Sequence, residues 1–273
     1  MQDAKPLPGG EVHSVYELWD GTGDSYVLKV YRPELAGKRE KEILLCALVR
    51  ERTGVPAPDV VPVEPRAAAM SRLPGVALRL LALEGSELEA VWRQAGRLLR
   101  ELHTIEFERF GYIETGVTVP ADTNLEYMRR RIAGKIAQGP PALRESLARH
   151  FAQREQAFAG CEQAVLCHND AHDANLLVED GRITGLVDWE NAVAADPILD
   201  LAKAHAFSDG ASEATLAALV EGYGPLRPDW RQAFDLYVLD HLLELWVWLA
   251  HVGRTEPLEL IERGLRDRIG DRD

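Results

Sequence analysis

One stretch of the chain, from Leu166 to Ala192, constrains its fold more than any other. It reads LCHNDAHDANLLVEDGRITGLVDWENA and carries three oxygen-bearing side chains, Asp170, Asn175 and Asp188, between short apolar runs. Burying such groups in a core costs free energy unless they are bound to something. The stretch therefore predicts a polar functional site that is built on buried strands.

The apolar runs of this stretch have the length and composition of β-strands. Residues 164–167 predict a buried strand that ends just before a polar loop. Residues 175–178 and 183–187 predict two further strands, joined by a hairpin turn. This strand–turn–strand unit brings its two ends together. We therefore expect Asn175 and Asp188 to lie side by side, as two ligands of one ion must.

Two carboxylates and an amide in this arrangement suit phosphoryl transfer. In that reaction one carboxylate orients the acceptor hydroxyl, while an amide oxygen and a second carboxylate hold Mg²⁺ on the nucleotide phosphates. Asp170 fits the first role, and Asn175 and Asp188 fit the second. A metal-dependent hydrolase remains an alternative, because His168, Asp170 and His172 form a plausible metal-binding triplet.

The same residues resemble the catalytic loop of the aminoglycoside phosphotransferase family, which belongs to the protein-kinase-like superfamily. The loop of that family reads His-x-Asp-x-x-x-x-Asn, and His168, Asp170 and Asn175 match it. Residues 188–190, Asp-Trp-Glu, stand where a protein kinase usually has Asp-Phe-Gly, which favours the small-molecule branch. Residues 196–202, Asp-Pro-Ile-Leu-Asp-Leu-Ala, also resemble a segment of the family. We expect structural roles for the two aspartates of that segment and for His168, which would brace the loop.

The resemblance implies that a lysine near the N-terminus binds the nucleotide phosphates. Lys29, inside an apolar strand pattern, matches the lysine of the family. Its glutamate partner is expected on the next helix, where Glu40 and Glu42 are both candidates. Glu40 is favoured, because the apolar Ile43 and Leu44 follow it at three and four positions.

Two further nucleotide contacts are implied by the resemblance. Residues 9–14, Gly-Gly-Glu-Val-His-Ser, correspond to the phosphate-binding loop, in which Ser14 is the polar contact. Residues 69–72 correspond to the connector whose backbone recognises adenine, and within it Met70 and Arg72 are the predicted contacts.

The order of predicted elements supports the same architecture. Strand patterns dominate up to about residue 66, with one helix predicted at 34–52, and helical patterns dominate from residue 88 onward. The helices predicted in this later part span 88–105, 124–138, 142–158, 211–223 and 229–251. We expect an α+β, protein-kinase-like bilobal fold. A small β-rich N-terminal lobe (1–70) would bind nucleotide, and a larger, mostly helical C-terminal lobe (71–273) would carry the catalytic and acceptor sites.

The charge of the chain bears on its partners. The formal net charge is −13; residues 1–70 hold nine Lys and Arg against eleven Asp and Glu, so residues 71–273 carry −11. Such acidity argues against a nucleic-acid partner and favours a cationic small molecule, although charge that serves only solubility is an equal alternative. Four acidic residues are considered as acceptor contacts, although an ordinary exposed or capping role is favoured for each: Asp173, Glu190, Asp240 and Glu244.

Composition narrows the remaining possibilities. The three cysteines lack zinc-ligand spacing and are expected to be free thiols. The N-terminal residues lack the apolar core of a signal peptide, and the most apolar late stretch, 242–252, is too short to span a bilayer. A cytoplasmic enzyme is therefore expected. The resemblance implies a kinase using ATP or GTP and Mg²⁺, with an aminoglycoside or related antibiotic as acceptor. Choline, homoserine or a sugar is the alternative acceptor, and a nucleotide-binding pseudokinase is the alternative function.

Overall fold

The computed structural model describes residues 4–7, 12–19, 23–63 and 66–271. Its N-terminal part is an antiparallel sheet of five strands in the order β1-β2-β3-β5-β4. These strands are β1 (Ala4–Pro6), β2 (Ser14–Trp19), β3 (Ser25–Val30), β4 (Val60–Val63) and β5 (Ala67–Ser71). In β3, Lys29 pairs with Val15 of β2 and with Ala68 of β5, so it lies on a central strand.

One helix, α1 (Gly37–Arg52), connects β3 to β4 and packs beside the sheet. Its apolar residues Leu45, Cys46 and Val49 are buried, whereas Leu44 is 41% exposed. Leu44, one of the two apolar residues on which the choice of Glu40 depended, is therefore not on the buried face of the helix. These three buried residues follow Glu42 by three, four and seven positions. In a helix of 3.6 residues per turn they therefore lie on the same face as Glu42.

The rest of the chain is mainly helical, as predicted. Its helices are α2 (Gly85–Leu102), α3 (Asn124–Gln138), α4 (Arg144–Arg154), α5 (Pro197–Ala206), α6 (Glu213–Tyr223), α7 (Trp230–His251) and α8 (Leu258–Ile269). The bounds of α3 coincide with the prediction, but α5 and α8 were not predicted. Helices α2 and α6 approach closely because Gly96 and Gly222 lie at their contact, where a Cβ on either would collide with the opposite backbone.

Two small sheets support the polar stretch between 164 and 195. One has the order β7-β10-β13-β8-β9 and the other the order β12-β11-β6. Their strands are β6 (Val76–Ala77), β7 (Glu106–Phe107), β8 (Phe110–Ile113), β9 (Val117–Ala121), β10 (Ala164–Cys167), β11 (Leu176–Glu179), β12 (Arg182–Leu186) and β13 (Val193–Ala195). The predicted strands β10, β11 and β12 are all present.

The buried apolar side chains of the helices and of these two sheets form one continuous core. A separate small cluster under the N-terminal sheet contains Tyr31, Ala68 and Met70. The lobe boundary at residue 70 stays a prediction. Within the described residues, no helix combines the length and apolar character needed to cross a bilayer.

Candidate active site

The loop that follows β10 is held by a buried carboxylate. Asp200, on α5, accepts hydrogen bonds from the backbone N–H groups of His168 (2.7 Å) and Asn169 (2.6 Å). His103 lies 3.1 Å from the same carboxylate, which is fully buried. Asn169 adopts a left-handed backbone with φ of 62°, a conformation that asparagine tolerates better than most residues do. Asp200 thus fixes the loop, which agrees with its predicted structural role.

The other aspartate of the same segment, Asp196, is structural too. Its carboxylate caps α5 by accepting from Ile198 N (3.0 Å) and also accepts from Arg227 and Tyr237 at 2.9 Å. It is fully buried.

His168 ties the loop to the end of the next strand pair. Its Nδ1 accepts a hydrogen bond from Asp170 N at 3.2 Å, and its Nε2 lies 3.1 Å from Val187 O. The Nε2 atom therefore carries the proton. Burial lowers the pKa of His168, which keeps the ring neutral. Both ring nitrogens of His168 already form hydrogen bonds, so neither can bind a metal. The metal-binding triplet of His168, Asp170 and His172 considered for a hydrolase is therefore incomplete.

Asp170 lies at the tip of this loop and is partly exposed. Its Oδ1 is 3.3 Å from Lys203 Nζ and 3.5 Å from His172 Nε2. Its Oδ2 is 3.4 Å from the amide nitrogens of Asn175 and Asn191. Burial alone would raise the pKa of Asp170, but the positive charge of Lys203 and the nearby histidine outweigh it and lower that pKa. The carboxylate is therefore ionised and has one oxygen facing amide donors.

Asn175 and Asp188 are brought together by the β11–β12 hairpin. Asn175 O accepts from Val187 N at 3.0 Å, next to Asp188 in sequence. The amide nitrogen of Asn175 donates to Asp170 O at 2.8 Å, which leaves its amide oxygen for another partner. Asp188 has a left-handed backbone, with φ of 69°, and its side chain is 40% exposed.

This donor set fits a magnesium ion. Mg²⁺ in nucleotide sites uses one or two protein oxygens and takes its other ligands from water and phosphate. Asn175 and Asp188 supply one amide oxygen and one accessible carboxylate. The strained backbone at Asp188 is typical of residues that a functional site holds in place.

Lys29 is the centre of a buried ionic cluster. Its Nζ lies 2.8 Å from Glu42 Oε2, 2.7 Å from Asp188 Oδ1 and 2.8 Å from Glu190 Oε2. Tyr31 donates to the same Glu42 oxygen at 2.6 Å. Burial would lower the pKa of Lys29, but Asp188, Glu42 and Glu190 together raise it well above its ordinary value. The ammonium group stays charged despite its burial.

The choice of Glu40 as the partner of Lys29 is wrong. Glu40 is exposed and pairs with its neighbour Arg39. Glu42 is buried, binds Lys29 and also accepts from Trp189 N at 3.2 Å. The error arose because Leu44 was taken to face the core. The helix instead turns Glu42 inward.

The remaining predicted nucleotide contacts lie on the N-terminal sheet. Ser14 is the first residue of β2 and is exposed; Gly9, Gly10 and Glu11 of the predicted phosphate loop lie outside the described residues. Met70 is buried in β5, where it contacts the small cluster beneath the sheet. Arg72 follows β5 and forms an ion pair with Glu17.

Two of the four acidic residues considered as contacts of a cationic acceptor form ion pairs with basic side chains of the protein, close to the catalytic loop. Asp173 is buried and accepts from Arg79 at 2.7 Å. Glu190 is buried between Lys29, at 2.8 Å, and Lys38, at 2.9 Å. Burial would raise the pKa of Glu190, but His13 and both lysines lower it far below its ordinary value. Both carboxylates are already paired, so the acceptor role considered for them is not supported.

The other two acidic residues form a cluster between α3 and α7. Asp240 is fully buried and lies 2.9 Å from Arg131 and 2.8 Å from Lys135. Glu244 lies 2.8 Å from Arg131 Nη2. The same guanidinium nitrogen is 3.3 Å from Asn169 Oδ1, so the cluster touches the catalytic loop. These carboxylates link two helices through ion pairs, so the acceptor role considered for them is not supported.

Sequence reasoning missed Lys203 and Asn191, which both approach the carboxylate of Asp170. A signal for Lys203 was present: it lies three positions after Asp200 on a helix, so the two share a face. Asn191 follows the 188–190 segment directly but matches no pattern that points to it.

Comparison with known proteins identifies the family of this architecture. The sequence profile described as the phosphotransferase enzyme family matches residues 3–234. No curated protein is similar enough in sequence to match. The macrolide 2'-phosphotransferase MphH from Brachybacterium faecium is 21% identical, with a TM-score of 0.70 over 99% of this chain and 93% of that one.

Two further solved structures share the fold. A thermostable mutant of aminoglycoside phosphotransferase APH(4)-Ia, in a ternary complex with AMP-PNP and hygromycin B, is 18% identical with a TM-score of 0.76. The match covers 98% of this chain and 94% of that one. A putative fructosamine-3-kinase from Thermobifida fusca YX-ER1 is 19% identical, with a TM-score of 0.72 over 98% and 92% of the two chains. The bilobal α+β fold expected from the sequence is confirmed.

Proposed function

Since the chain belongs to the phosphotransferase enzyme family, we propose that it is a Mg²⁺-dependent kinase of small molecules. In this proposal the γ-phosphoryl group of ATP or GTP moves to a hydroxyl of the acceptor. One observation carries the proposal. Lys29 binds Asp188, the β11–β12 hairpin holds Asp188 beside Asn175, and Asn175 binds Asp170. A phosphate-binding cation, two oxygen ligands and an acceptor carboxylate thus form one connected set.

Asp170 would act on the acceptor. Its ionised carboxylate accepts the hydroxyl proton while the hydroxyl oxygen attacks the γ-phosphorus and the nucleoside diphosphate leaves. Most of the rate would come from orientation and from charge neutralisation, because the protein takes no covalent part in this type of transfer. The fixed loop, held by Asp200 through two backbone bonds, supports such positioning.

Lys29, Asn175 and Asp188 would act on the nucleotide. Lys29 is a charged, buried clamp for the phosphates, and Glu42 fixes its direction. Asn175 and Asp188 would hold Mg²⁺, which neutralises phosphate charge when bound. Ser14 and the backbone around Met70 and Arg72 would contact the phosphates and the base.

The acceptor we propose is a hydroxylated antibiotic or a related sugar-like metabolite. Supporting this range, the solved relatives include a macrolide phosphotransferase, a complex with hygromycin B and a putative fructosamine kinase. The acidic excess of the later residues would attract a cationic acceptor over a distance. Its binding contacts would have to be other than Asp173, Glu190, Asp240 and Glu244, since each of these is already paired with a cation.

An acceptor screen tests the proposal. The purified protein is incubated with MgATP or MgGTP and a panel of aminoglycosides, macrolides, amino alcohols and sugars, and nucleoside diphosphate release is followed. We expect at least one acceptor to gain the mass of a phosphoryl group. Diphosphate release that no acceptor stimulates, with no phosphorylated product by mass spectrometry, would contradict the kinase assignment.

Ionic strength separates a cationic acceptor from a neutral one. For a polycation steered by the acidic surface, kcat/KM falls steeply as salt rises, because charges are screened beyond about 8–10 Å at moderate ionic strength. A neutral acceptor gives a flat profile. We expect the steep profile, because the net charge of −11 on residues 71–273 already counts the basic side chains that pair with these four acidic residues.

A further inference from the structure

Lys203 places a second lysine beside the reaction centre. It lies on α5, and its Nζ is 3.3 Å from Asp170 Oδ1 and 4.3 Å from the centroid of the Phe207 ring. Its side chain is 13% exposed, so its charge is little screened by water. The kinase chemistry proposed above does not use this residue.

The position of Lys203 is set by the same helix that holds the catalytic loop. Asp200, three residues earlier, binds two backbone N–H groups of that loop. Residues three apart on a helix lie on one face. Asp196 fixes the start of α5 through Ile198 N and Arg227. The ammonium group of Lys203 is therefore held at Asp170 by a rigid element and not by a mobile loop.

The bonding of Lys203 differs from that of the other lysine at the site. Lys29 has three carboxylate partners within 2.8 Å. Lys203 has a single carboxylate partner among the described residues, at 3.3 Å. Charge-assisted hydrogen bonds between an ammonium and a carboxylate are typically about 2.7–2.9 Å. An ammonium group has three donors, so Lys203 retains capacity for an anionic group that arrives beside Asp170.

The phosphoryl group in transfer is an anionic group of this kind. In the transition state of phosphoryl transfer the negative charge is spread over three equatorial oxygens, between the leaving and attacking oxygens. The attacking oxygen is the acceptor hydroxyl that Asp170 orients. A cation beside Asp170 is thus on the acceptor side of the phosphoryl group, whereas Lys29 is on the nucleotide side.

We propose that Lys203 is a catalytic residue that donates hydrogen bonds from Nζ to the phosphoryl oxygens during transfer. This inference rests on the proposed kinase function. The bond between the γ-phosphorus and the bridging oxygen breaks, and a bond to the acceptor oxygen forms. The hydroxyl proton goes to Asp170. Lys203 transfers no proton, and its positive charge stabilises the negative charge on the phosphoryl oxygens.

Substitution of Lys203 tests the assignment. Lys203→Met preserves the length and apolar stem of the side chain, and we expect it to lower kcat by about 10²–10³-fold, as for loss of one preorganised donor. The KM for ATP should change by no more than about threefold, because the contact is made only in the transition state. Lys203→Arg keeps the charge and should recover part of kcat.

A transition-state analogue separates this role from mere support of the loop. MgADP with aluminium fluoride and the acceptor imitates the phosphoryl group in transfer. Lys203→Met should weaken this complex at least about tenfold while leaving the affinity for MgADP alone unchanged. Equal affinity of the variant and the unmodified protein for the analogue would overturn the proposal.

A double-mutant cycle with Asp170 distinguishes direct from indirect action. If Lys203 acted only through its ion pair with Asp170, Lys203→Met would have no further effect in an Asp170→Asn background. We expect a further loss of residual kcat of at least about tenfold. An active unmodified enzyme whose Lys203→Met variant keeps its full kcat would refute the role of Lys203 alone. An unmodified protein that phosphorylates no acceptor would refute the kinase function itself.

Discussion

The ammonium nitrogen of Lys29 lies 2.8 Å from Oε2 of Glu42, and not beside Glu40, two positions earlier on α1. The same Glu42 side chain accepts from Trp189 N at 3.2 Å, in the segment that carries Asp188. Glu42 therefore links the sheet, the helix and the metal-ligand segment. Helix α1 positions the phosphate clamp through this one carboxylate.

Replacing Glu42 should impair nucleotide use. In Glu42→Gln the charged partner is lost and the buried ammonium of Lys29 keeps only Asp188 and Glu190. We expect kcat/KM for ATP to fall by about 10–100-fold, which corresponds to a loss of roughly 1.4–2.7 kcal/mol. Glu40→Gln is the matched control and should leave kcat/KM unchanged, since Glu40 is exposed. Equal effects of the two substitutions would refute the assignment.

Asp170→Asn should remove most turnover but spare nucleotide binding. The carboxylate of Asp170 lies beside Lys203 and His172, whereas Lys29 pairs with other carboxylates. Loss of one positioned base typically costs about 10²–10⁴-fold in rate. Steady-state kinetics and a calorimetric titration with ATP measure the two quantities. Near-normal turnover would show that another group receives the acceptor proton.

The two proposed metal ligands should differ in their contribution. Asp188→Ala removes a negative charge and should abolish the Mg²⁺ dependence of ATP binding, whereas Asn175→Ala removes a neutral oxygen and should weaken it less. Titrations of ATP with and without Mg²⁺ give the comparison. Asn175 also donates to Asp170 O at 2.8 Å, so its variant should lower kcat as well. An Asp188→Ala protein that binds MgATP normally would contradict the metal assignment.

Lys41 should make the stability of the fold depend on pH. Its Nζ is buried 3.7 Å from the centroid of the Tyr112 ring and has no hydrogen-bond partner among the described residues. Burial, together with the charge of Lys38, lowers the pKa of Lys41 to about 7. In the unfolded chain the pKa is about 10.4.

The sign of the effect follows from proton counting. Between about pH 7 and pH 10 the unfolded chain holds a proton that the folded chain lacks, so the free energy of unfolding rises with pH across this window. Below pH 7 both states are protonated and the cost of the buried charge is present in full. Lys41→Met should therefore raise stability at pH 7 and flatten the profile. Urea denaturation from pH 6 to pH 9 measures this, and parallel curves for the two proteins would disprove it.

Much of the architecture was predictable because it depends on local patterns. The strand at 164–167, the hairpin after it and the helix at 124–138 each follow from apolar periodicity and turn residues in a short window. Helix α5 was missed for a related reason. Most of α5 is buried, so it lacks the polar face that marks a surface helix.

The sequence by itself determined the order and spacing of Asp170, Asn175 and Asp188, and thereby the chemistry expected of the chain. Tertiary structure decided the partners of the charged groups. Glu42 rather than Glu40 meets Lys29 because packing, and not apolar spacing alone, sets the rotation of α1. Lys203 reaches Asp170 from a separate helix. Ion pairs form between residues far apart in the chain, and a buried charge takes whichever partner the packed elements bring within reach.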